Sequence, residues 1–209
     1  MKSFIFIYLC ALLCLSPQGF SQEIDHDGSF AFEVSLPNSM TNSPYKMIMQ
    51  GLVQSSIQYQ YAFKSGFCIG AGIHYTYFTI NEFRVPYKVY GGIHTPAVYV
   101  MVGHEKYWTK RFGTDFGVKM GYLQSFTVSD LLRSKGIDYN FVEGTYIEPS
   151  VGLLLKSDLN QSYRLSIGCP IYGYSFNPWM IGIDSNIGYD SKEYTIPSSL
   201  LSVGLTLKL

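Results

Sequence analysis

The sequence predicts an all-β fold, an eight-stranded antiparallel up-and-down transmembrane β-barrel, on three observations. From about residue 29 to Leu209, apolar residues recur at every second position, the period of strands with two chemically different faces. Charged residues make up only 14% of the 209, against about 25% in a typical soluble domain. The connections between the alternating stretches are short and long by turns, as at the two rims of a membrane barrel.

The N-terminus comes first. Lys2, the apolar run Phe4 to Leu15 and then Ser16, Pro17, Gln18, Gly19, Phe20 and Ser21 read as a secretory signal with cleavage after Ser21. The run is too short for a spanning helix, which needs about 20 apolar residues. Cys14 follows Leu12 and Leu13 inside the apolar run, so a lipoprotein site is set aside. The expected organisation is a signal peptide over 1–21 and a barrel domain over 22–209, reached by secretion through the periplasm. Cys68 and Cys169 remain in the mature chain and are predicted on opposite faces of strands that are not neighbours, so no disulfide framework is expected.

Eight strands follow, at about 29–37, 51–63, 67–80, 93–106, 112–126, 144–156, 162–172 and 196–209. The clearest is Thr114 to Tyr122: Thr114, Phe116, Val118, Met120 and Tyr122 share one face, Asp115, Gly117, Lys119 and Gly121 the other. Phe and Met do not share a medium with Lys119. Were the polar side a solvated surface, it would not be rich in glycine; glycine instead marks a cramped interior. The predicted lipid face carries no charge in any strand. About ten residues at roughly 3.3 Å each, tilted by about 40°, cover the ~25 Å apolar band of an outer-membrane barrel. Tyrosines and Trp108 gather at strand ends, where an amphipathic ring suits the head-group region.

The opposite faces include Glu33, Lys119, Glu148 and Arg164. An eight-stranded barrel is wide enough only for its own side chains, so these four are expected to meet near mid-height as an ionic plug. The inward residues read as polar throughout, which argues against a conduit for hydrophobic ligands. A proton or ion path is the functional alternative to simple filling.

Net charge is +0, with 15 basic and 15 acidic residues, and no basic stripe points to nucleic acid. His26, His74, His94 and His104 form no metal-binding spacing, there is no nucleophile elbow, and no Gly-Lys pair supports a phosphate loop. Neither a cofactor nor a metal is expected, and the chain is read as a non-enzyme. Because barrel lipases and acyltransferases place Ser, His and an acid at the outer rim, serines beside His94 are the place to look for the exception. The long loops are the stronger candidates for function. The last, Gly173 to Thr195, offers Tyr174, Phe176, Trp179 and Tyr189 as an adaptable binding surface. The first carries Pro44, Tyr45, Met47, Ile48 and Met49, read as a short turn over the barrel mouth.

With Gly-x-Gly pairs such as Gly70 with Gly72 and the terminal run Leu201 to Leu209, the chain resembles the eight-stranded outer-membrane barrels of the OmpA and OmpX type, particularly the small barrels of Bacteroidetes. It departs from them in ending on Leu209 where an aromatic residue is common. The resemblance implies integration in the bacterial outer membrane and surface presentation; the expected partners are its lipid and lipopolysaccharide, with an extracellular protein or glycan as a candidate for the loops, and the expected state is a monomer. It leaves three roles open: a non-enzymatic barrel serving envelope integrity or surface binding, a porin-like pore for small solutes or ions, and a lipid-modifying enzyme.

Overall fold

A computed structural model describes residues 28–85, 88–157, 161–183 and 195–209; the expected signal and cleavage site lie outside them. Strands β1 (Gly28–Ser39), β2 (Met49–Ala62), β3 (Phe67–Ile80), β4 (Gly91–Tyr107), β5 (Phe112–Ser129) and β6 (Asn140–Lys156) pair antiparallel in sequence order. The seventh wall is broken at Cys169 and Pro170 into β7 (Ser162–Gly168) and β8 (Ile171–Tyr172), both of which pair with β6 and with β9 (Ser198–Lys208). The break follows from Pro170, which has no N–H to give to a ladder. β9 pairs with β1 from Ala31↔Lys208 to Ser39↔Leu200. The sheet is therefore a closed eight-stranded barrel with no free edge.

The alternation read from the sequence is the alternation of the wall. Phe32, Val100, Val151 and Leu165 point outward, 41–55% exposed, while Glu33, Lys119, Ser166 and Thr206 at the intervening positions are buried inside. Strands run longer than expected at the end carrying the long connections: β4 begins at Gly91, β5 continues to Ser129 and β6 begins at Asn140. The tight turns, at residues 63–66 and 108–111, share the other rim with both chain ends of the barrel. These are called here the loop rim and the turn rim.

Inward glycines make room for large partners. A Cβ on Gly152 would fall 2.6 Å from Arg164 Nε, and one on Gly168 would fall 2.5 Å from Glu148 Oε1. Between the loop-rim strand ends, α1 (Ser43–Ile48), α2 (Asp130–Ser134) and a 3₁₀ turn at Pro178–Ile181 fold over the mouth. Pro44 opens α1 at a position that needs no N–H.

Candidate functional site

The lumen is divided along its axis into a polar half towards the turn rim and an apolar half towards the loop rim. Lowest in the polar half, Lys208 pairs with Glu105, and Gln60 donates to the same carboxylate at 3.0 Å. Arg164 pairs with Asp115 at 2.6 Å through Nε and donates through Nη2 to Ser150 at 2.9 Å. Near mid-height, Lys119 lies 2.7 Å from Glu33 and 3.5 Å from Glu148, with its ammonium 5.4 Å from the centre of the Tyr99 ring.

Three of the four residues expected to meet are therefore in direct contact, while Arg164 pairs instead with Asp115 and acts on Glu33 and Glu148 only through its charge. It is the third residue of β7 from the turn rim, whereas Glu148 is the eighth before the end of β6, so it lies too low. Its guanidinium reaches across Gly152, which pairs directly with Asp115. Glu105 was outside the expected set. Carrying the inward parity of β4 through Tyr99, Met101 and Gly103 reaches it, so the signal was present in the alternation itself. Among the described residues, the buried lumen holds four carboxylates (Glu33, Glu105, Asp115, Glu148) and three cations (Lys119, Arg164, Lys208). The space left among them is about 20 Å³, room for roughly one water molecule.

A hydrogen-bonded chain climbs from this network. Tyr146 donates to Glu148 and meets His74 Nδ1 at 3.3 Å. His74 Nε2 contacts Thr76 at 2.7 Å, and Thr76 contacts the Tyr172 hydroxyl at 2.8 Å. Above it the lumen becomes mainly apolar, with Ser125 bonded to the Tyr174 hydroxyl at 3.2 Å. Tyr172 stacks on Tyr174 at 5.8 Å, and above them Tyr45, Phe78 and Phe176 pack with ring centres 4.9 and 5.0 Å apart among Ile48, Ile93, Met180, Ile181 and Leu200. The polar interior read from the alternation is thus corrected in part: near the loop rim the inward Phe78, Ile80, Ile93 and Leu200 are apolar and give α1 and the last loop a surface to pack on, while Thr95, Ser125, Thr127 and Ser129 keep the other inward positions polar. Burial in this plug pushes the Tyr45 hydroxyl well above the usual tyrosine range, keeping it neutral.

The last loop is corrected by the same fact. Tyr174 and Phe176 are buried in the plug and cannot form a binding surface. Trp179 is 53% exposed, and Tyr189 lies outside the described residues. Exposed apolar side chains at the loop rim are instead Phe83, Tyr90, Ile137 and Tyr139, together with Trp179. His94 faces outward; its ring contacts are Tyr75, whose hydroxyl meets Nδ1 at 2.7 Å, and Tyr77, at 4.7 Å between centroids. Cys68 is buried and Cys169 half-buried on the outside, both as free thiols.

No protein-family model matches the chain, and the search of curated proteins finds no match. Solved structures do share its fold. Neisserial surface protein A superposes with a TM-score of 0.52 at 11% identity, over 87% of this chain and 97% of its own. Ail, the attachment invasion locus protein of Yersinia pestis, superposes with a TM-score of 0.53 at 11% identity in its complex with the heparin analogue sucrose octasulfate, over 89% of this chain and 100% of its own. The chain has the fold of the small outer-membrane β-barrels.

Proposed function

We propose that this chain is a non-enzymatic, closed barrel of the bacterial outer membrane, inserted for envelope integrity and for presenting its loop rim to a partner outside the cell. The observation that carries this reading is the combination of an apolar outer wall with a lumen filled at both levels. Lipid is the medium in which a continuous belt such as Phe32, Val100, Phe116, Val151, Leu165 and Val203 is satisfied. Aromatic side chains border it on both sides: Phe63, Phe67 and Trp108 near the turns, and Tyr75, Tyr77 and Tyr122 towards the loops. Inside, ion pairs occupy the lower half and a packed aromatic plug the upper, so that the described residues fill the lumen at both levels. His94, bonded to one tyrosine and tilted against the ring of another, is a rim anchor in this reading.

Outer-membrane fractionation with heat-modifiable gel mobility tests the placement: the folded barrel should migrate differently from the boiled chain and fractionate with the outer membrane. Planar-bilayer recording tests the closed lumen. The purified protein should give no stable conductance, and long-lived ohmic steps would replace this reading with that of a pore.

A further inference from the structure

The outer wall carries a groove of about 460 Å³ across β2 to β5, within the size range of small-molecule sites, about 300–1,000 Å³. Its cause is local. The pairing of β4 with β5 is continuous from Gly91 to His94 and again from Ala97, but skips Thr95 and Pro96; proline has no N–H to give. Inside, the gap is bridged by Thr95 and Ser125 hydroxyls at 3.1 Å. Outside, the short Pro96 side chain lies between the larger walls of Tyr75 and Tyr122, with Ile73 and Val98 towards mid-height.

Two features say what fits. First, Tyr75 is eight residues from the turn-rim end of β3, about 20 Å up the wall at ~3.3 Å per residue and ~40° tilt, so the groove runs from the apolar band to the head-group level on the loop side. Second, of its polar residues Ser56 and His74 are buried on the lumen side, which leaves Ser55, Tyr75, Tyr122 and Gln124 as the hydrogen-bonding groups of its outer surface, and no lysine or arginine lines it. Without a cation the groove does not select a phosphate. It suits a hydrocarbon chain whose point of attachment carries neutral amide or hydroxyl groups.

We infer that this groove seats one acyl chain of lipopolysaccharide from the outer leaflet, with the amide or hydroxyl groups at the chain's base bonded to Tyr75 and Gln124. The inference rests on the outer-membrane reading above, and fractionation tests that reading separately: a chain found in the outer membrane that retains no lipid fails here alone.

The test is native mass spectrometry of the folded protein after exposure to purified lipopolysaccharide, or in a parallel arm to phosphatidylethanolamine vesicles, followed by detergent washing. Wild type should retain one lipopolysaccharide per chain and no phosphatidylethanolamine. Pro96→Trp, which fills the groove, should lower retention at least tenfold, while Leu165→Trp on the far wall should leave it unchanged. Gel mobility reports folding. Should Pro96→Trp fail to fold, the double variant Tyr75→Phe with Gln124→Leu, which keeps the groove but removes its hydrogen bonds, should lower retention several-fold. Equal retention by groove and far-wall variants, no retained lipid in wild type, or retention of phosphatidylethanolamine instead would overturn the inference.

Discussion

Lys119 on β5 and Glu148 on β6 are direct cross-strand partners, yet the Lys119 ammonium lies closer to Glu33 on the far strand β1, at 2.7 Å against 3.5 Å. One cation holds two buried carboxylates together across the lumen and ties β1, β5 and β6 at mid-height. Lys119→Met should therefore strand both carboxylates and cost about 3–5 kcal/mol, the usual penalty for removing one partner of a buried ion pair. Adding Glu33→Gln should recover part of that loss. Urea unfolding of the micelle-folded protein, followed by heat-shifted mobility, measures both. An unchanged midpoint for Lys119→Met would show that the network adds nothing to stability.

Gly168 is the counterpart of that cluster on β7. Its missing side chain leaves space for Glu148 Oε1 and for Ser202 Oγ, 2.5 and 2.7 Å from where a Cβ would stand. Gly168→Ala should cost about 1–3 kcal/mol through overpacking. Gly117→Ala is the control, because its Cβ would meet nothing nearer than 3.5 Å. The same unfolding measurement should rank the two far apart, and equal midpoints would mean that the lumen relaxes around the added methyl.

What the alternation specified and what it left open follow from the same physics. Strand positions have two faces with opposite solvents, so a charged Lys119 beside an apolar Val118 fixes the orientation of the wall. Loop positions carry no such constraint: Tyr174 and Phe176 have the composition of a recognition surface and of a plug alike, and only the contact of α1 with the last loop decides between them. Arg164 was legible as inward but not in height, because periodicity sets a face and stagger between strands sets a level. Glu105 was equally legible at an inward position of β4 but lay outside the expected set, because the parity has to be followed nearly to the end of that strand.

The lipid face makes its own prediction. Val100, 55% exposed near the middle of β4, should tolerate Leu and reject Lys by about 2–4 kcal/mol, the cost of a cation near the bilayer midplane. The readout is the fraction of heat-modifiable protein recovered from the outer membrane. Equal recovery of Val100→Lys and Val100→Leu would place this face in water.

The plug is held by one residue in an uncommon conformation. Asn42 has φ 59°, in the left-handed region; its Oδ1 accepts the Tyr45 N–H and caps α1, while its Nδ2 donates to the Phe176 and Ile196 carbonyls at 3.0 and 3.1 Å. One side chain thus joins the first loop to both arms of the last. Asn42→Ala removes the cap, worth about 1 kcal/mol, deletes the two bonds to the last loop and leaves alanine in a backbone region it disfavours. Since 1.4 kcal/mol is a factor of ten in an equilibrium, amide exchange at Tyr45 to Ile48 should quicken by roughly an order of magnitude. The strand amides around Lys119 should stay as slow as in wild type, because the ion pairs below do not depend on the latch. For the same reason bilayer conductance should remain absent in Asn42→Ala: opening the upper plug still leaves the polar half filled. Unchanged exchange at Tyr45 to Ile48 would assign the hold on α1 to ring packing against Phe78 and Phe176 instead.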